Sequence, residues 1–267
     1  MNICVAGDVH GRMDMLYESI NNFELKLKIK FDVVLQVGDF GVWIDERNHD
    51  GTTKLYNGTG DFPEWYKHKR AVPIKTYFIN GNNEDFGFLD AVKLSGEFEI
   101  IKDLFYISNG TVHEIKIEKG ERDGHYGSET ENIVVAGIGG KYDPEYFRHQ
   151  DVNGCYTEYE IDNLINYKDM NRNNEDKQID IFISHDAPED VLIEDNDKNK
   201  YYPKSIGLRK LILNITPKVV FFGHHHGICE SEIDKIPVYG LNILGEKGSF
   251  VAIKKVKDEF KILGRYP

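Results

Sequence analysis

In Ile3-Cys4-Val5-Ala6-Gly7-Asp8-Val9-His10-Gly11, an apolar run of strand-forming residues stops at a glycine, and two metal-capable side chains, Asp8 and His10, follow two positions apart. An extended backbone turns residues i and i+2 to one side, so Asp8 and His10 share a face and Val9 takes the other. The same grammar recurs along the chain. Gly38-Asp39 follows the apolar run 33–37, Gly81-Asn82-Asn83-Glu84 follows 76–79, and Ser184-His185-Asp186 follows 179–183. Gly223-His224-His225-His226-Gly227 follows 219–222, with His224 and His226 again in i, i+2 relation. A single Asp-x-His triplet is ordinarily a turn with a locally satisfied histidine. Clusters that recur in this way, each just past a strand and most beside a glycine that lets backbone approach closely, point to ligands gathered at the carboxyl ends of strands in an α/β sheet.

Outward from these clusters, apolar residues recur every three or four positions over 13–28, 158–167 and 205–213, which predicts helices there. The segments 99–107, 111–117, 133–137, 230–233, 238–241, 250–253 and 260–263 read as strand after strand. Strands alternating with helices imply α/β layering, and the strand-rich middle and end favour two packed sheets with helices outside over one parallel sheet. Three polar stretches, 45–60, 118–132 and 194–204, are rich in Asn, Asp and Gly and read as loops. With no repeat and no linker isolating a second hydrophobic pattern, residues 1–267 are predicted to form one domain.

The 267 residues carry 33 Lys+Arg against 45 Asp+Glu, a net charge of −12, with 40% hydrophobic residues. This composition excludes a disordered or fibrous chain, and no apolar run approaches the roughly 20 residues of a membrane span. The acidity argues against sequence-blind binding to nucleic acid, which needs a basic surface. Cys4, Cys155 and Cys229 have no metal-type spacing and an odd count, which suits a reducing compartment. The N-terminus enters a strand without an export-type leader, so the expected location is the cytoplasm.

Taken together, D-x-H, G-D, G-N-x-E, H and G-H-x-H in this order resemble the calcineurin-like metallophosphoesterase superfamily over nearly the whole chain. The resemblance implies a four-layer αββα sandwich, two mixed β-sheets flanked by helices, with a dinuclear metal centre at the strand ends. By position, Asp8, His10, Asp39 and His226 would hold one divalent ion, and Asp39, Asn82, His185 and His224 the other, with Asp39 bridging. His225, facing away by the i, i+2 argument, would not be a ligand. The chemistry suits the residues: two ions clamp the attacking and leaving oxygens of an in-line displacement, and a metal-bridging hydroxide is the expected nucleophile. Two carboxylates against two divalent cations leave the site net positive, so a phosphate is attracted despite the acidic chain. Nitrogen and oxygen ligands suit Mn2+, Fe2+ or Zn2+, and the resemblance favours Mn2+. Ser184 and Cys4 have no catalytic part in this scheme.

Asn83 departs from the family, which usually has a histidine there to touch the phosphate and protonate the leaving oxygen. An amide donates a hydrogen bond but yields no proton near neutrality, so Asn83 is expected to bind a phosphoryl oxygen and good leaving groups to be favoured. His149 and His113 are candidate replacement acids, and Glu84 is expected to orient its loop. The chain lacks the phosphate-gripping arginine of the Ser/Thr protein phosphatases, reading Gly38-Asp39-Phe40-Gly41-Val42-Trp43 where they have G-D-x-V-D-R-G. It is more similar to RNA lariat debranching enzymes, above all in Ile179-Asp180-Ile181-Phe182-Ile183-Ser184-His185-Asp186-Ala187-Pro188 and Ala136-Gly137-Ile138-Gly139-Gly140. The eukaryotic debranching enzymes have cysteine where this chain has Asp8. This resemblance implies a phosphodiesterase acting on nucleotide or RNA 2′,5′-phosphodiesters. The alternatives are a phosphomonoesterase or nucleotidase, and a catalytically weak metal-bound phosphate-binding module. Tyr201 and Tyr202 are candidates to stack on a base, as are Trp43, Trp65 and Tyr66, although packed or exposed aromatics are the commoner case.

Overall fold

A computed structural model describes residues 1–45, 59–118, 130–148, 152–195 and 204–266. In chain order the elements are β1 (Asn2–Ala6), α1 (Met13–Leu27), β2 (Val33–Gln36), α2 (Phe62–Lys67), β3 (Thr76–Phe78), α3 (Phe86–Ser95), β4 (Glu99–Ile101), β5 (Leu104–Tyr106), β6 (Thr111–Glu118), β7 (Thr130–Ile138), α4 (Glu158–Met170), β8 (Ile181–Ser184), β9 (Glu194–Asp195), α5 (Ile206–Ile215), β10 (Val219–Phe222), β11 (Gly227–Ile233), β12 (Ile236–Gly240), β13 (Phe250–Val256) and β14 (Glu259–Arg265). They form two sheets, ordered β14-β13-β1-β2-β3-β5-β4 and β6-β7-β8-β10-β12-β11-β9. In each, four neighbouring strands are parallel (β1, β2, β3, β5; β7, β8, β10, β12) and the flanking strands antiparallel.

Alternation along each strand divides the core into three sheets of side chains. Ile3, Val5, Val33 and Leu35 meet Ile181, Ile183, Val219 and Phe221 between the two β-sheets. On the far side of the first sheet, Cys4, Ala6, Val34 and Phe78 pack with Leu16, Ile20 and Phe23 of α1 and Leu89 of α3. On the far side of the second, Ala136, Phe182 and Phe222 pack with Ile161 and Leu164 of α4 and Leu208, Leu211 and Ile215 of α5. The result is the expected four-layer sandwich of two mixed sheets flanked by helices. Parallel strands covered on both faces read as continuous apolar runs, which is why they were visible in the sequence.

Three local differences have physical causes. The predicted single strand 99–107 is a hairpin, because Asp103 takes φ +68° and turns β4 back antiparallel to β5. The predicted loop at 118–132 is strand at both ends, β6 closing at Glu118 and β7 opening at Thr130, and the loop at 194–204 opens with β9, which pairs with β11. Helices α2 and α3 were not predicted; both are short, and α3 includes Gly87 among apolar residues with little periodicity. Among the described residues no helix is long and apolar enough to cross a membrane.

Candidate metal centre

Each expected ligand cluster leaves the carboxyl end of a parallel strand: β1 for Asp8 and His10, β2 for Asp39, β3 for Asn82, β8 for His185, β10 for His224 and His226. Sheet register sets Ala6, Gln36 and Phe78 side by side in one sheet and Ser184 beside Phe222 in the other, so the chain segments that follow them start level. The loops then lock together through backbone. The Asp39 carbonyl accepts the N–H of Val9 (2.9 Å) and of His10 (2.8 Å), and the Phe40 carbonyl accepts that of Gly11 (2.7 Å). His10, Asp39, His224 and His226 all have positive φ (51°, 50°, 65° and 47°), a region non-glycine residues occupy only when the surroundings impose it. At Gly38 (φ +98°) a Cβ would lie 2.4 Å from the His185 ring, and at Gly81 one would lie 1.9 Å from an Asp39 oxygen. Glycine is required at both to let these side chains in.

Glu84, expected to orient its own loop, reaches only Gly81 there and chiefly holds the Asp39 loop. Its buried carboxylate accepts the backbone N–H groups of Phe40 (2.8 Å), Gly41 (3.0 Å), Val42 (2.6 Å) and Gly81 (3.4 Å). Burial, then the nearby Asp39 charge, push its pKa up to about 8, against the pull of those N–H groups. The sequence reading missed two further supports. Gln36, buried at the end of β2, bonds Gly7 O (3.1 Å) and both backbone groups of Gly38. Asn80, held by the Tyr106 hydroxyl (2.9 Å), accepts the N–H of Gly140 on its carbonyl. A polar residue at the inner end of an apolar strand was the available signal for both.

At the centre, acceptors converge. His185 Nδ1 lies 3.0 Å from the carbonyl oxygen of Val37, which can only accept, so Nδ1 carries a proton and, in the neutral imidazole, Nε2 presents a lone pair. That lone pair faces Asn82 Oδ1 at 3.1 Å and Asp39 Oδ1 at 3.5 Å. In that tautomer Nε2 meets two oxygens with no hydrogen between them, an arrangement that suits a cation. Asp8 Oδ2 lies 3.0 Å from His226 Nε2, and Asp39 Oδ2 lies 3.8 Å from His10 Nε2. Asp8, His10 and His226 offer ligand atoms within 4.8 Å of one another, and so do Asp8, Asp39 and His185. The two groups share Asp8, while His224, expected with the second, sets its ring 4.9 Å from that of His185 at a 54° tilt and donates its backbone N–H to Asp8 Oδ1. The donor set therefore fits a pair of divalent cations.

The electrostatics suit ligands. Burial lowers the pKa of His10 and, with His185 adding to it, brings His224 down to about 4, so both imidazoles stay neutral with lone pairs available. Burial opposes the Asp8 charge, yet the bond to His226 and the nearby histidines hold it well below the usual carboxylate range. Asn83 is buried and turned to Asp39: its backbone N–H donates to Oδ1 (2.8 Å) and its Nδ2 to Oδ2 (2.6 Å).

The remaining candidates sort clearly. His225 turns away, its Nε2 2.8 Å from Asp186 Oδ1. Ser184 donates to the Asp186 carbonyl, and Cys4 is buried with its thiol pKa pushed up. His113 stands on β6 with Thr111 and Phe98 as neighbours. Trp43 and Trp65 are buried, Trp65 against Tyr17 and under Arg70, so neither offers a face for a base, while Tyr66 is half-buried with Phe62 and Phe88 as neighbours. Tyr201, Tyr202 and His149 lie outside the described residues.

Similarity to known proteins agrees with this geometry. A lariat debranching enzyme of Caenorhabditis briggsae is 26% identical over 257 residues, which cover 84% of this chain and 46% of that protein. The chain thus spans less than half the length of that curated relative. Among solved structures, the calcineurin-like phosphoesterase YfkN from Bacillus subtilis superposes with a TM-score of 0.52 at 14% identity, covering 98% of this chain and 87% of that one. A Staphylococcus aureus protein assigned as a 5′-nucleotidase gives 0.54 at 13% identity, covering 98% of this chain and 53% of that one. At such identities the structural likeness speaks to the fold. The family model described as calcineurin-like phosphoesterase matches residues 1–227, from β1 to the first residue of β11, and so takes in every strand end that carries an expected ligand. By that match and by its layered fold, this chain belongs to the calcineurin-like phosphoesterase family.

Proposed function

We propose that the chain is a dinuclear metal-dependent phosphodiesterase. The observation that carries the reading is the convergence of His185 Nε2, Asn82 Oδ1 and Asp39 Oδ1 beside the Asp8, His10 and His226 group. Asp8, His10, Asp39 and His226 would hold one ion, and Asp39, Asn82, His185 and His224 the second. When bound, two divalent ions supply Lewis-acid activation of water and of the phosphoryl group. The chain's own part is to fix geometry. Val37 sets the His185 tautomer, Glu84 holds the Asp39 loop, and the second hydrogen of Asn83 Nδ2 would donate to a phosphoryl oxygen. Mn2+ is the favoured metal, with Fe2+ or Zn2+ as alternatives of the same ligand chemistry.

Likeness to the debranching enzyme supports a diester substrate, with nucleotide or RNA 2′,5′-phosphodiesters the class to test. Tyr201 and Tyr202 remain the proposed base-stacking residues. The second reading, a monoesterase or nucleotidase, draws on the Staphylococcus aureus likeness. Residues 1–267 would act as one catalytic domain, because β13 pairs with β1 and so belongs to one of the two ligand-bearing sheets, and the proposed place of action is the cytoplasm. The test is hydrolysis of bis(p-nitrophenyl) phosphate beside p-nitrophenyl phosphate by metal-stripped protein reloaded with Mn2+. Faster diester cleavage is expected. Faster monoester cleavage would transfer the proposal to a nucleotidase, and no cleavage with two ions bound would leave a phosphate-binding module.

A further inference from the structure

Asn83 touches both oxygens of Asp39, through its backbone N–H to Oδ1 (2.8 Å) and through Nδ2 to Oδ2 (2.6 Å). Its amide orientation follows from its partner: the opposite flip would bring Oδ1 against a carboxylate oxygen, acceptor against acceptor. Asp39 itself sits at φ +50°, buried, with His10 and His185 on either side. A carboxylate in a strained backbone position needs its χ angles held if both oxygens are to face cations, and among the described side chains Asn83 is the one that donates to it. Hydrogen-bonded partners of ligating carboxylates usually contribute in this way to affinity and orientation.

We infer that Asn83 is a positioning residue that clamps the Asp39 carboxylate for the metal pair, and that it performs only half of what a histidine at this position would do. The inference rests on the dinuclear reading above. Asn Nδ2 and His Nδ1 are both attached to Cγ, so either donates to Asp39 Oδ2 from about the same place. The imidazole then carries Nε2 on its far side, a group able to hand a proton to a departing oxygen, and the amide has nothing equivalent. The chain therefore keeps the carboxylate clamp and omits the acid. It should therefore cleave aryl esters and phosphoanhydrides, whose leaving groups depart as stable anions, faster than the 2′,5′-phosphodiesters named above, whose ribose alkoxide must take its proton from another group or from water.

Two measurements test this. The first is Mn2+ binding by titration calorimetry, with the exchange-coupled EPR signal of the pair, on wild type, Asn83→Ala, Asn83→Asp and Asn83→His, each checked for metal-free thermal unfolding. Asn83→Ala and Asn83→Asp should bind the pair roughly 10–100-fold more weakly and lose the coupled signal, while Asn83→His retains both. The second is turnover of aryl phosphodiesters of graded leaving-group acidity. Wild type should show a steep dependence, and Asn83→His should raise turnover of the least acidic leaving groups about 100-fold with little change for p-nitrophenol. Wild-type metal binding in both Asn83→Ala and Asn83→Asp overturns the clamp, and an unchanged leaving-group dependence in Asn83→His overturns the missing acid. A wild-type protein that binds no ion pair overturns the dinuclear reading as well, so the two failures are distinguishable.

Discussion

Val37 contributes only a carbonyl oxygen to the site, yet that oxygen decides which nitrogen of His185 faces Asn82 and Asp39. Asp39 is the residue on which the most contacts meet: two donors from Asn83, two histidines at 3.5 and 3.8 Å, and two backbone N–H groups on its carbonyl. Replacing one carboxylate oxygen by an amide nitrogen removes a charge and sets a donor against a donor. Asp39→Asn is therefore expected to lower turnover of a diester at least ~100-fold. Metal-free stability should fall only modestly, since removing a buried charge offsets the cost of the donor–donor contact. Wild-type turnover in a folded Asp39→Asn protein would remove Asp39 from the site. At this scale the sequence was most legible, because ligand types and spacings are written in it directly. What it could not display was partnership. That Asn83 faces Asp39 depends on loops 44 positions apart.

Helix α1 begins two residues after the Gly11 turn, and its own N-cap residue, Arg12, makes no side-chain cap. The cap comes from a distant segment: Asp61 accepts the N–H groups of Met13 (2.7 Å) and Asp14 (3.1 Å), while Gly11 O accepts those of Asp61 and Phe62 (2.9 and 3.1 Å). The start of α2 thus braces the loop that carries His10. Asp61→Ala should cost about 1 kcal/mol, the usual value of a lost cap, read as a lower midpoint in urea unfolding. It should also weaken metal binding through His10, and an unchanged midpoint would show the cap to be idle. Long elements such as α1 were readable by period, predicted over 13–28 and observed at Met13–Leu27. The hairpin β4–β5 was not, because its turn depends on one residue, Asp103, taking a left-handed conformation.

Across the molecule, the two sheets meet along their inner faces and bring the histidines of the second against the carboxylates of the first. Without metal this arrangement buries imidazoles whose protonation folding resists: His224 is brought down to about 4 and His10 is lowered, against an ordinary 6.5. Between about pH 6.5 and 4 the unfolded chain therefore binds more protons than the folded one, so stability falls on acidification through that window and returns as pH rises. Asp8, held below its ordinary 3.8, adds a loss in the same direction at still lower pH. Chelator-treated protein should unfold at a lower urea concentration at pH 5 than at pH 7. Equal midpoints would mean that these histidines are solvated. The residue types, their order along the chain and their position after apolar runs were present in the sequence alone, because covalent spacing and strand periodicity are local properties. Which histidine nitrogen faces which carboxylate, how Glu84 gathers four backbone N–H groups, and that Asn83 grips Asp39 were decided by the packing of two sheets, because those contacts join segments that only the folded chain brings within hydrogen-bond distance.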